Sequence, residues 1–300
     1  IDLIENNLPI LKINEKIEYS LIKYIPAILN IFNEGLVNSR DQVIRLEEKS
    51  KNNEEIKLVS NIKVNFNQET QEISIFNDGE GISIQEHTTE KMWIPQMIFG
   101  ELLTSSNYNK DEKKIVGGKN GFGFKLVLIW SVFGEIETID HVRKLKYVQK
   151  FSNNLDNIEP PKITKCSAKP YTRVSFKPDY TRFGIPMLNT DMRELFHKRV
   201  VDISAITPKT VKVKYNNQLI PVKTFEQYID LYIGSKTEST RVSENPNDRW
   251  EYCVALSPSH EFQQVSFVNG IHTAKGGKHV DYILNQITKK NGKLYWKKEK

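Results

Sequence analysis

Apolar residues at Ile25, Ile28, Leu29, Phe32, Leu36 and Val37 recur at helical spacing and predict an amphipathic helix over Ile25–Val43. Beyond it the period shortens to two. Ile62, Val64 and Phe66, then Ile73 and Ile75 ahead of a turn at Asn77-Asp78-Gly79, predict the two strands of a hairpin. A polar, loop-rich stretch from Thr104 to Asn120 leads into Phe122–Phe133, an apolar run long enough for a buried helix. Strand-like pieces return at Gly134–Ile139, Lys144–Phe151 and Thr172–Phe176, followed by a helix over Asp191–Ile206 and a strand at Val211–Tyr215. Asn245-Pro246-Asn247-Asp248 is a strong turn signal and places a domain boundary nearby. After it come strand patterns at Trp250–Leu256 and Val265–Asn269 and a helical one at Val280–Ile287. The architecture predicted is mixed α+β, with one domain over residues 1–240 and a second, begun but unfinished, over 241–300.

Composition narrows the class. Of 300 residues, 38% are hydrophobic and 27% charged, enough for a sizeable core and against a wholly disordered chain. The best apolar run, Leu126–Trp130, falls far short of the roughly 20 residues a membrane helix needs, so no membrane partner is expected. The first residues mix acids with apolar positions and lack a basic leader, so no secretory signal is expected. Cys166 and Cys253 make neither a disulfide framework nor a zinc site. The compartment expected is reducing, nucleus or cytoplasm. The chain opens at Ile1 rather than Met, which suggests a piece of something longer. Net charge is +6, from 43 basic and 37 acidic residues, compatible with a polyanionic partner without demonstrating one. Lys289, Lys290, Lys293, Lys297, Lys298 and Lys300 crowd the end, where the plain reading is a solvated terminus.

Three motifs carry candidate chemistry. Glu34, Asn38 and Asp41 fall at i, i+4 and i+7 of the first helix and share one face. A carboxylate beside an amide oxygen can orient a water and ligate Mg²⁺, although polar helix faces produce the same pattern by chance. Asn77-Asp78-Gly79-Glu80-Gly81 follows a strand; the glycines permit close backbone approach, and Asn77 can hydrogen-bond a purine edge, against the simpler reading of a plain turn. Gly117-Gly118-Lys119-Asn120-Gly121-Phe122-Gly123-Phe124-Lys125 opens a helix, where exposed N–H groups form a phosphate cradle. Its G-x-x-G-x-G order reverses the dinucleotide fingerprint, and no G-x-x-x-x-G-K-[ST] occurs, which disfavours Rossmann and P-loop readings.

In this order and spacing the three motifs resemble the ATP-binding set of the GHKL superfamily. The resemblance tightens through Phe32-Asn33-Glu34-Gly35-Leu36-Val37-Asn38, Leu103-Thr104-Ser105-Ser106-Asn107-Tyr108, Asp248-Arg249-Trp250-Glu251, Val265-Ser266-Phe267-Val268-Asn269-Gly270 and Lys275-Gly276-Gly277-Lys278-His279-Val280-Asp281-Tyr282. Over about Ile25–Ile287 these blocks are similar to eukaryotic-type (type IIA) DNA topoisomerase II. The resemblance implies a GHKL (Bergerat) α/β sandwich, a mixed sheet with helices on one face, followed by the start of a transducer domain. It implies ATP and Mg²⁺ as cofactors, double-stranded DNA as partner, and a homodimer in the full-length protein. By it, Glu34 is the general base and Asn38 the Mg²⁺ ligand. Asp41 is an acid near the site, Asn77 contacts adenine and Thr172 supports the adenine pocket. Ser105, Ser106 and Asn107 line ribose and phosphates. Gly118, Lys119, Asn120, Gly121, Phe122 and Gly123 wrap the triphosphate, and Lys125 adds charge. The Lys-rich end would lie near DNA. Three residues depart from the family pattern: Gln42 for Asn, Lys119 for Arg, and Gly35 inside a helix, where it costs about 1 kcal/mol against Ala. The family's Gln-Thr-Lys lysine is not found, and much of its exchanged N-terminal arm is expected to be missing. A rival reading is a GHKL clamp or chaperone module without efficient hydrolysis.

Overall fold

Ile25 is extended and Pro26 fixes the first helical φ, so α1 (Pro26–Ser50) starts where a missing N–H costs nothing. The computed structural model describes residues 2–12, 15–52, 55–100, 123–257 and 260–298. Helix α1 continues past Val43 because Leu46 prolongs its buried face. Before it, β1 (Ile4–Leu11) and β2 (Ile17–Tyr24) form an antiparallel hairpin.

The strands β3 (Asn61–Phe66), β4 (Ile73–Asp78), β5 (Ser131–Asp140), β6 (Leu145–Ser152), β7 (Asn157–Ile158), β8 (Lys162–Lys165), β9 (Tyr171–Pro178), β10 (Lys212–Tyr215) and β11 (Gln218–Leu219) make one sheet. Its order is β11-β10-β3-β4-β9-β5-β6-β7, with β8 also on β6. Every pairing is antiparallel except β10 with β3. Ile62, Val64, Ile73, Ile75, Ile136, Val174 and Phe176 are buried on one face. That face is covered by α1, α3 (Gly123–Ile129) and α4 (Thr190–Ala205), while the short α2 (Ile94–Gly100) packs on α3. Phe32 of α1 stacks on Phe196 of α4 with centroids 4.0 Å apart. Asn189 caps α4 by accepting from Met192 N at 2.8 Å, and its amide holds the Lys23 carbonyl, so the β1–β2 hairpin is tied to the cap.

Thr224 caps α5 (Phe225–Ile233). From there β12 (Arg241–Asn247) and β13 (Trp250–Ala255) form a bulged hairpin, β14 (Phe267–Val268) and β15 (Ile271–His272) a second one, and α6 (Lys278–Lys298) closes the chain. Arg241 binds Asp230 and the Gly234 carbonyl, fastening β12 to α5.

The structure corrects three local expectations. Asn77 and Asp78 are strand residues of β4, not a turn, because Asp78 accepts from the N–H groups of Ser60 and Asn61 at 2.6 and 2.7 Å and so anchors the start of β3. The Phe122–Phe133 run is not one helix: α3 ends at Ile129, Ser131 Oγ donates to the Val127 carbonyl, and the chain continues as β5. Asn245–Asn247 belong to β12, and the chain reverses at Asp248-Arg249. Among the described residues no helix is long and apolar enough to cross a membrane.

Candidate functional site

The site is built on the middle turns of α1. Glu34, Asn38 and Asp41 share the predicted face; Glu34 and Asn38 are half-buried and Asp41 is buried. Asn38 Nδ2 donates to Glu34 Oε1 at 3.4 Å. Burial raises the Glu34 carboxyl above its ordinary pKa; the Asn38 hydrogen bond lowers it and the charge of Asp41 raises it further. A base poised nearer neutrality is better suited to take a proton from water.

Helix α3 meets this face end-on. The Cα of Gly123, its first residue, lies so close to Glu34 that a Cβ there would stand 1.7 Å from Oε1. Phe124 seats the helix, edge-on to Phe99 at 5.2 Å and to Phe176 at 6.4 Å. Gly35, which looked costly inside a helix, has a packing reason. A Cβ at that position would stand 2.7 Å from Ile75 Cδ1, so the glycine lets α1 lie close on β4.

The second wall is the end of the sheet. Asn77 is buried, and its partner across β4–β9 is Thr172, which in turn pairs with Thr138 of β5. The two threonine hydroxyls are 3.0 Å apart. The loop after β4 is pinned to β5: Ile82 N donates to Thr138 Oγ1 and Ile84 N to Asp140 Oδ2, both at 2.9 Å. Gly81 allows this, since a Cβ would strike the Ile139 carbonyl oxygen at 2.0 Å. Gln42 Nε2 donates to the Glu80 carbonyl at 3.2 Å, tying α1 to the same loop.

Glu34, Asn38 and Asp41 are therefore brought together, Gly123 joins Glu34, and Asn77 stands beside Thr172. Lys125 is fully buried on α3. Ser105, Ser106, Asn107, Gly118, Lys119, Asn120, Gly121 and Phe122 lie outside the described residues, as does the Thr104–Asn120 stretch. Lys289 is exposed, and the side chains of the later lysines lie outside those described. Sequence reasoning missed Thr138, Asp140 and Arg199. Arg199 Nε donates to Asn33 Oδ1 at 2.8 Å, next to Glu34, and its guanidinium also binds the buried Asp202. Nothing short of the strand register and the α4 packing marks these residues.

A mixed sheet with helices on one face, and a Glu-Asn pair on the covering helix, define a GHKL-type sandwich. A family model described as DNA gyrase B matches residues 224–300. DNA topoisomerase 2 of Pisum sativum is 42% identical over 281 residues, covering 92% of this chain and 18% of that protein. The Acanthamoeba polyphaga mimivirus DNA topoisomerase 2 is 39% identical over 275 residues, 91% of this chain and 21% of that one. The crystal structure of the ATPase region of Saccharomyces cerevisiae topoisomerase II superimposes with a TM-score of 0.89 at 39% identity, covering 98% of this chain and 75% of that one. The chain belongs to the DNA topoisomerase II family and corresponds to its ATPase region. It spans about a fifth of the length of the curated relatives it matches.

Proposed function

We propose that this chain is the ATP-binding and ATP-hydrolysing entry gate of a type IIA DNA topoisomerase, working in the nucleus or cytoplasm. ATP binding would close a homodimer around a DNA duplex, and hydrolysis would reset it. The observation that carries this reading is the half-buried Glu34 carboxylate, held by Asn38 and pressed against the first residue of α3. In the reaction, Glu34 takes the proton from the water that attacks the γ-phosphorus. Gly123 leaves the space in which that carboxylate is held, so its orientation is set before substrate arrives. Asn77 reads the adenine edge with Thr172 supporting it, and Lys125 adds positive charge beside the phosphates. The described part of the site thus supplies base and adenine contacts. The loop set Ser105, Ser106, Asn107, Gly118, Lys119, Asn120, Gly121 and Phe122 supplies the contacts to ribose and triphosphate.

The residues fit Mg²⁺. The Asn38 side-chain carbonyl is a hard oxygen donor beside a carboxylate. Among the described residues no group of three or more His, Cys, Asp or Glu side chains could hold a metal by itself. Mg²⁺ commonly keeps several waters and is carried by substrate phosphates, and Asn38 would be its protein ligand here. When bound, Mg²⁺ neutralises charge on the phosphates. We place the boundary between the GHKL sandwich and the transducer segment near residue 241, where β12 begins.

The test is calorimetry with a non-hydrolysable ATP analogue and Mg²⁺, paired with turnover of Glu34→Gln. Analogue binding with turnover lost in the variant supports a hydrolysing gate. Analogue binding with equal turnover in parent and variant removes Glu34 from its role.

A further inference from the structure

The turn of the β14–β15 hairpin lands on α1. Asn269 and Gly270 have φ of 49° and 83°, the left-handed pair that a two-residue hairpin turn requires. Gly270 lies directly over Arg40. A Cβ there would stand 2.8 Å from Arg40 Cδ, 3.1 Å from Nη1 and 3.2 Å from Nε. The Arg40 side chain is 13% exposed. Its Nε donates to the Ile206 carbonyl at 3.3 Å, at the end of α4, and its Nη1 stands 4.0 Å from Asp41 Oδ1. Nη1 is buried with no hydrogen-bond partner among the described residues. One guanidinium therefore joins the hairpin turn, the α4 terminus and the site helix. Desolvating a cation so placed is costly, and the compensation comes from the Asp41 charge and the Ile206 carbonyl, which ties the guanidinium to both.

We propose that Arg40 is a positioning residue that makes the seating of the β14–β15 hairpin felt at the site face of α1. The turn over Gly270 sets where the guanidinium lies, and the guanidinium sets Asp41. Asp41 lies one helical turn beyond Asn38 and two beyond Glu34, on the same face. This rests on the reading of that face as the nucleotide site. The hairpin has a second, separate anchorage. Phe267 packs on Tyr228 with centroids 6.0 Å apart, and the Tyr228 hydroxyl donates to Asp202 Oδ1 at 2.6 Å. The hairpin therefore remains docked when Arg40 is changed, and the Arg40 path can be tested alone.

The experiment is a double-mutant cycle on the full 300-residue chain, with Gly270→Ala, Arg40→Met and the pair. Backbone hydrogen exchange is read over residues 33–42, alongside thermal midpoint and affinity for a non-hydrolysable ATP analogue with Mg²⁺. Gly270→Ala should speed exchange over Glu34–Asp41 by about tenfold and weaken the analogue by a similar factor. In the Arg40→Met background the same change should alter either by less than about twofold. Arg40→Lys, which keeps charge and stem, should restore part of the coupling, whereas a merely structural arginine would show only a lowered midpoint. Equal effects of Gly270→Ala in both backgrounds, or none at α1, overturn the proposal. If the parent fails to bind the analogue, the nucleotide reading falls and the exchange cycle alone decides the role of Arg40.

Discussion

Replacing Gly123 by Ala moves the proposed base without touching it chemically. The new Cβ would lie 1.7 Å from Oε1, 2.0 Å from Cδ and 2.6 Å from Oε2 of Glu34. Ordinary non-bonded contact begins at about 3.5 Å, so the carboxylate must withdraw by about 2 Å. The backbone offers no escape. Gly123 is the first residue of α3, a helical position that alanine fits, and alanine is the better helix former. Stability should hold or rise while geometry at Glu34 is lost. A misplacement of about 1 Å can cost a hundredfold in rate, so kcat for ATP hydrolysis should fall by about a hundredfold or more, roughly 2.7 kcal/mol on the barrier. Steady-state ATPase rates and a thermal melt measure both sides. Glu34→Gln is the control: in that background Gly123→Ala should cost little more, because both act on one group. A Gly123→Ala kcat within about threefold of the parent, or a further hundredfold loss in the double variant, would refute the reasoning.

Four further outcomes follow. Glu34→Gln should abolish turnover while leaving nucleotide affinity nearly unchanged, and Asn38→Ala should weaken Mg-ATP binding itself; equal loss of binding in both would end the division of roles. Gly35→Leu should destabilise by about 1–3 kcal/mol in urea titrations, because a side chain there collides with Ile75; a neutral result would mean that α1 can lift off the sheet. Asp202→Leu should cost about 3–5 kcal/mol, since it strands Lys198 and Arg199 in the interior; a stable variant would show that the two cations find other partners. Acid should loosen the same joint. Burial, with Lys198, lowers His272 to about 4 from 6.5, so the unfolded chain binds the extra proton and stability falls as pH drops across that window, by up to about 3 kcal/mol. Asp202 is held below its ordinary value chiefly by Lys198 and Arg199 against its burial, and its contribution is lost only at lower pH, beneath the usual carboxylate range. Urea midpoints at about pH 7 and about pH 5 check this, and His272→Asn should flatten the slope; equal parent midpoints would remove His272 from the account.

The elements were legible where one period ran unbroken. The α1 face and the β3–β4 alternation each bury a single side, so spacing alone identifies them. Legibility failed where two buried elements abut. From α3 into β5 the chain passes through Trp130 and Ser131 without a Gly or Pro, and apolar content alone does not distinguish helix from strand. It failed again at Asn77-Asp78, whose composition speaks for a turn while Asp78 spends its oxygens on the backbone of β3. At the site, Glu34, Asn38 and Asp41 could be grouped from helical spacing, and Asn77 with Gly81 from the motif. What spacing could not supply were the meetings of distant segments: Gly123 on Glu34, Thr138 beside Thr172, Arg199 on Asn33, and Arg40 under Gly270.

The parallel pairing of β10 with β3 fixes a time order on the ribosome. Asn61 is synthesised early and meets Lys212 only after β4, β5, β6, β9 and α4 have all been made. Until then the outer edge of β3 is a row of open N–H and C=O groups, the kind of edge that recruits other strands. A chain halted anywhere between Asp78 and Lys212 would carry that edge bare, with Ile62 and Val64 behind it. Stalled or truncated products should therefore associate through β3, an edge that the short segment Lys212–Tyr215 covers.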